Sequence, residues 1–149
     1  MIAHVLNEDL AICNLDASTG DDVIAALVER ICATGEVNDC DRAKADVLAN
    51  EQRSSTGMQH GVAIPHAKTQ AVSRLHAAVA VTREPIEFDS LDGQPCRIFV
   101  MTLSPPDRAG PHMKFLAEVG RLLKSRHIRR AILAARTPAE LLRAFGCAS

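Results

Sequence analysis

Apolar residues recur with helical spacing in two early stretches. Ile24, Leu27, Val28 and Ile31 fall on one face, which predicts a helix over residues 18–34. Ser18 or Thr19 can cap it, Asp21 and Asp22 suit the positive end of its dipole, and Gly35 is a natural stop. A second helix is expected from about Asp39 to about Glu51, with Ala43, Val47 and Leu48 inward. The pattern then changes period. Ser54-Ser55-Thr56-Gly57 reads as a turn, and Val62–Ile64 is a short apolar run closed by Pro65. His76–Thr82 reads as a strand of small residues, and Pro85–Phe88 as a short extended piece. After the Asp92-Gly93 turn, Cys96–Leu103 is almost continuously apolar, as in a strand buried on both faces.

The second half returns to helical spacing. Ser104–Pro111 holds three prolines and a glycine and is expected to be a loop. A helix should open near His112, with Leu116, Val119, Leu122 and Leu123 inward, and another should cross Ile128–Ala135. A last helix has Thr137 as cap, Pro138 at its first position and Glu140 to complete a capping box, with Gly146 at its end. Two helices, several strands with short connections, then more helices imply an α/β fold: one domain over residues 1–149, with helices covering a mixed sheet.

Composition narrows the functions open to such a domain. The chain has 149 residues, 47% of them hydrophobic and 23% charged, enough to build one core. Trp and Tyr are absent and Phe occurs four times, which excludes the aromatic platforms that stack single-stranded nucleic acid. The formal net charge is −1, so no global field holds nucleic acid or an anionic membrane. The basic run Arg121–Arg130, with Leu122, Leu123 and Ile128 interleaved, reads as a solvated helical face. The start, MIAHVLNEDLAICNLD, lacks the features of a signal peptide, and no apolar run approaches the length of a membrane span. Five cysteines at 13, 32, 40, 96 and 147 match no zinc-site spacing, and the expectation is a reduced, cytoplasmic chain with packed thiols.

The chemistry concentrates in Ser55–His66, STGMQHGVAIPH. Hydroxyl residues and a glycine form a turn able to present N–H groups to an anion. A short strand follows, Pro65 sets the backbone direction, and His66 stands next. A neutral imidazole so placed is a good nucleophile toward phosphorus, and the phosphoramidate it forms is labile enough to pass the group on. A structural histidine near a strand end is the alternative. His112 is the second candidate, because a helix start favours both a phosphate and a neutral histidine. His60 could flank the site, His76 begins a strand, and His4 and His127 look peripheral. No HxH, HExxH or paired carboxylates support a metal site from His60, His66 and His112.

These residues resemble the type-2 EIIA domains of the bacterial phosphotransferase system, the fructose, mannitol and nitrogen-regulatory class. S-T-G at 55–57, G-V-A-I-P-H-A at 61–67, E-P-I-E-F-D at 84–89, L-D-G-Q-P at 91–95, His112 and the T-P-A-E-L-L end carry the resemblance across nearly the whole chain. It implies a single mixed-sheet domain in which His66 is phosphorylated, on Nε2, by an HPr-like carrier. His112 would then stabilise the phosphoryl group. Ser55, Thr56, Gly57 and Arg53 would contribute to binding it, and no cofactor is needed. Members of the family often carry Arg-Glu just before S-T-G, where this chain has Asn50-Glu51 with Arg53 nearby, and Gly or Ala where it has Gln59.

The expected function is a free-standing, nitrogen-type regulator whose protein binding depends on the state of His66, the EPIEFDSLDGQP stretch being closer to that branch. The alternatives are a sugar-specific EIIA that passes the group to a separate EIIB, and a binding protein that takes no phosphate. Neither nucleic-acid binding nor membrane insertion is expected.

Overall fold

The computed structural model describes residues 1–147. A short helix, α1 (Ile2–Val5), and a 3-10 turn (Glu8–Leu10) precede β1 (Ala11–Leu15). Then come α2 (Gly20–Cys32), α3 (Cys40–Arg53), β2 (Val62–Ala63), β3 (His66–Lys68), β4 (His76–Ile86) and β5 (Cys96–Ser104). Three helices close the chain: α4 (Ala109–Leu123), α5 (Arg126–Ala134) and α6 (Pro138–Ala144). The α/β architecture expected from the sequence, a mixed sheet flanked by helices, is the one observed.

The sheet is organised around β5. It pairs antiparallel with β4, which pairs parallel with β1. The other edge of β5 is shared by two short parallel partners in succession: β2 lies beside Ile98 and Phe99, and β3 beside Thr102, Leu103 and Ser104. Ile64 and Pro65 separate the two. Proline has no N–H to give to a ladder, but the Pro65 carbonyl still accepts from Thr102 N at 3.1 Å, so the edge stays attached across the break. Apart from half-buried Arg97, β5 is buried along its whole length, as its near-continuous apolar run predicts. Phe99 and Met101 from β5, Ile24, Leu27 and Ile31 from α2, and Phe115 from α4 are among the fully buried large side chains of the core. Fully burying one such side chain is worth about 1.5–3 kcal/mol.

The helix boundaries follow capping chemistry. Thr19 accepts from Asp22 N at 3.2 Å and opens α2, so the helix starts two residues inside the predicted range. Asp39 accepts from Arg42 N at 2.9 Å and opens α3, which runs on to Arg53. α4 begins at Ala109 rather than His112, because Pro111 is tolerated in a first turn where its missing N–H has no partner to lose. Thr137 caps α6 as expected, but the Glu140 carboxylate reaches Arg136 N at 2.8 Å, one residue before the cap. β4 joins the predicted strand and extended piece into one element, with a register irregularity between Val81 and Ile86. β1 has no counterpart in the helix and strand pattern of the sequence.

One expectation about cysteine is corrected. Cys32 and Cys40 are joined as a disulfide across the α2–α3 turn, with Cα atoms 6.1 Å apart. Cys13, Cys96 and Cys147 are free thiols, the last two buried, and burial pushes all three upward from the usual thiol value. The expectation of five packed thiols missed that the turn returns the chain on itself within the reach of one S–S bond. Among the described residues, no helix is long and apolar enough to cross a membrane.

Candidate functional site

The site is built from a loop, two strand ends and a helix start. After α3, the carboxylate of Glu51 turns back onto the loop and accepts from Thr56 N at 2.8 Å and Thr56 Oγ1 at 2.7 Å. Ser55 Oγ donates to the Phe88 carbonyl at 2.6 Å and accepts from Gly57 N at 3.1 Å. A Cβ on Gly57 would stand 2.7 Å from the Phe88 carbonyl oxygen and 2.9 Å from Ser90 Cα, so only glycine lets the loop lie this close to residues 88–90. The Thr56 carbonyl then accepts from Ile64 N at 3.1 Å, and Met58 N donates to the Val62 carbonyl at 2.7 Å. His60 and Gly61 take positive φ, 63° and 76°, to close this bend, and Asp92 Oδ2 accepts from His60 N at 3.1 Å. Ser55, Thr56 and Gly57 therefore shape the segment that delivers His66, and the N–H groups of Thr56 and Gly57 are occupied within the loop.

His66 is half-buried at the start of β3. Its Nδ1 lies 3.0 Å from the Ile64 carbonyl oxygen. A carbonyl can only accept, so Nδ1 carries a proton, and in the neutral ring Nε2 carries the free lone pair. His112 lies in the first turn of α4 and is 4% exposed. The two imidazole rings are 5.9 Å apart, centre to centre, at 56° to one another. Burial, then the neighbouring His66 and Lys68, hold His112 below the ordinary imidazole value, so it is neutral at pH 7.

Thr102 links the two histidines. It is the register partner of His66 on β5, and its Oγ1 lies 2.9 Å from His112 Nε2. The signal for it was present in the sequence as a hydroxyl inside the apolar run of β5, but a strand-end threonine is also unremarkable on a sheet. Lys68 was missed as well. It lines an open cleft with His66, Asp46, Asn50 and Arg53, so two cations and one carboxylate share the cleft of the nucleophile candidate. Arg53 is exposed, and its Nη2 donates to Asn50 Oδ1 at 3.2 Å.

The other histidines stand apart. His60 lies on the rim of a separate, largely apolar cavity with Met58, Ile64, Leu91, Leu123 and Lys124. His4 and His127 are exposed. His76 is buried, and its Nε2 has no hydrogen-bond partner; burial first, then Arg74, hold it below the ordinary value, with Glu36 opposing. In the basic run, Arg129 turns inward to donate to the carbonyls of Leu123 and Lys124 at 2.7 and 3.0 Å, which closes the C-terminus of α4.

One imidazole at the start of β3, half-buried, and one in the first turn of α4, buried, face each other at one end of a small mixed-sheet domain. Over residues 4–146 the chain matches the family described as phosphoenolpyruvate-dependent sugar phosphotransferase system, EIIA 2, and it belongs to that family. The fructose-specific EIIA component of Haloferax volcanii is 34% identical over 79% of this chain and 77% of that protein. The nitrogen regulatory protein of Bradyrhizobium diazoefficiens is 34% identical over 60% of this chain and 59% of its own length. The chain spans about a fifth of the EIIABC components it also matches, which are specific for fructose in Bacillus subtilis and for 2-O-alpha-mannosyl-D-glycerate in Escherichia coli. Two solved structures share the fold. Nitrogen regulatory protein IIA-Ntr from Neisseria meningitidis superposes with a TM-score of 0.89 over 97% of this chain and 98% of that one, at 22% identity. Enzyme IIAMtl of Escherichia coli, in its complex with phosphorylated enzyme IIBMtl, gives 0.81 over 95% and 96%, at 14% identity.

Proposed function

We propose that this chain is a cytoplasmic phosphocarrier that takes a phosphoryl group on His66 Nε2 from an HPr-like protein. In this reading the whole chain acts as one EIIA unit whose output is protein binding that depends on the state of His66. The observation that carries the proposal is the Nδ1 contact to the Ile64 carbonyl, which leaves Nε2 as the nucleophilic nitrogen in a cleft that also holds Arg53 and Lys68. Attack of Nε2 on phosphorus forms the N–P bond as the bond to the donor nitrogen breaks. The cations neutralise the phosphoryl oxygens, and neutral His112, positioned by Thr102, stabilises them without bonding to phosphorus. Ser55, Thr56 and Gly57 serve by fixing the backbone that feeds β3, and Arg53 is the side chain of that region that binds the anion. No metal or organic cofactor takes part, because the group arrives already activated.

The nitrogen-type reading rests on the EPIEFDSLDGQP stretch and on the likeness to nitrogen regulatory proteins. The fructose-specific relative favours a second reading, in which His66 hands the group to an EIIB. The test is phosphorylation by phosphoenolpyruvate, the first enzyme of the relay and the HPr-like carrier. Acid-labile label is expected on the wild type and none on His66→Ala. Equal labelling of the two would refute the proposal. Absence of label on both would leave a binding protein that takes no phosphate. Subsequent discharge onto an added EIIB would favour the sugar-specific reading.

A further inference from the structure

We infer that Cys32 and Cys40 are a reversible thiol-oxidation site, a dithiol that reduces a peroxide and becomes the disulfide seen across the α2–α3 turn. Three observations carry this. The Cα atoms are 6.1 Å apart, inside the range that one S–S bond spans without moving the backbone. The turn keeps its shape through contacts that do not involve sulfur. Asn38 N donates to the Ala71 carbonyl at 2.9 Å, Asn38 Nδ2 to the Gln70 carbonyl at 3.2 Å, and Arg74 Nε to Glu36 Oε1 at 3.0 Å. Thr34 Oγ1 donates to the Ile31 carbonyl at 2.6 Å, and Gly35 takes the left-handed conformation that reverses the chain. The reduced pair therefore stays in place, and both oxidation states fit one backbone.

The third observation is the difference between the two sulfurs. Cys40 is exposed as the first residue of α3, where a peroxide in solution reaches its sulfur. Cys32 is half-buried at the end of α2. Cys40 is thus the sulfur that meets the oxidant, and Cys32 the one that resolves it. The Cys40 thiolate attacks one peroxide oxygen, the O–O bond breaks, and the other oxygen leaves as water after taking a proton. The Cys32 thiol then attacks the Cys40 sulfenic acid, forming the S–S bond and releasing a second water. Two electrons pass from sulfur to peroxide, and an external thiol returns them by exchange. A reversible pair of this kind is compatible with a reducing compartment, where lasting disulfides are rare and redox-sensing ones are the usual exception.

The test uses the intact protein, reduced and then exposed to hydrogen peroxide under native conditions. Thiols are alkylated after denaturation and counted by mass. All five cysteines should be modified before oxidation, and the three outside this pair afterwards. Trypsin cuts after Arg30 and Arg42, so residues 31–42 carry both sulfurs in one peptide that should be lighter by two hydrogen atoms. Cys32→Ser should instead accumulate a dimedone-reactive sulfenic acid on Cys40. Closing so short a loop should raise Tm by about 5 °C in the oxidised form, and added dithiothreitol should reverse it. Five alkylated cysteines after peroxide, a disulfide mapped elsewhere, or an oxidised form no more stable than the reduced one would each overturn the inference.

Discussion

At the scale of the residue, one carbonyl decides which ring nitrogen of His66 keeps a free lone pair in the neutral form. The Ile64 carbonyl holds the Nδ1 proton of His66, and the ring has no other way to be neutral than with its lone pair on Nε2. Thr102 acts one step away, by holding His112. Thr102→Val keeps the shape and removes the partner of a buried ring nitrogen. It should cost about 1–3 kcal/mol of stability and slow phosphoryl transfer, read by urea unfolding and by label transfer. His112→Ala should slow transfer about 10- to 100-fold with the fold intact, and unchanged kinetics would remove His112 from the site.

The same residues set a pH dependence. His76 and His112 are held below the ordinary imidazole value in the folded chain, chiefly by burial. The unfolded chain therefore binds more protons once the pH falls through that ordinary value. Stability should be full above it and should decline as the pH drops further, until the folded chain protonates too. Urea midpoints at pH 7.5 and 5.5 check this, with the lower midpoint expected at pH 5.5. His76→Gln should flatten the dependence in part.

At the scale of the element, the loop from Ser54 to Pro65 matters for its shape. Glu51 binds it at one end, the Phe88 carbonyl from the side, and the break between β2 and β3 sets where His66 emerges. Gly57→Ala should cost about 1–3 kcal/mol, because the rigid Phe88 backbone cannot yield to a Cβ placed 2.7 Å away. Gly61→Ala meets no such crowding and only forces a side chain to φ +76°, so about 1–2 kcal/mol is expected. Thermal denaturation of both variants should rank them in that order. The loop's hydroxyls and glycine were legible from the residues. What they bond to was not, since Phe88 is 33 residues from Ser55 along the chain. The five longer helices were legible because caps and periodicity are local, whereas the four-residue α1 was not. β1 was not, because a five-residue strand is defined by its pairing with β4, which no local pattern encodes.

At the scale of the whole molecule, β5 ties the parts together. It carries the core on its buried faces, takes β2 and β3 along one edge, and presents Thr102 to the site. Phe99→Ala should cost about 3–5 kcal/mol, a large share of the roughly 5–15 kcal/mol of a typical domain, and should be visible as a fall in the urea midpoint. Loss of labelling should follow only as the fold is lost, since Phe99 lies well along β5 from Thr102.

By itself the sequence determined the class of fold and the places of the five longer helices, and it singled out His66 and His112 as the candidate pair. These rest on periodicity, on caps within four residues, and on a motif contiguous in the chain. Only the tertiary structure decided that Thr102, beside His66 on the sheet, bonds to His112, that Lys68 and Arg53 share the cleft, and that Cys32 meets Cys40. Each of these depends on where two backbones approach, and residues far apart in the chain, or across a turn, come within bonding distance only once the sheet and its helices have packed.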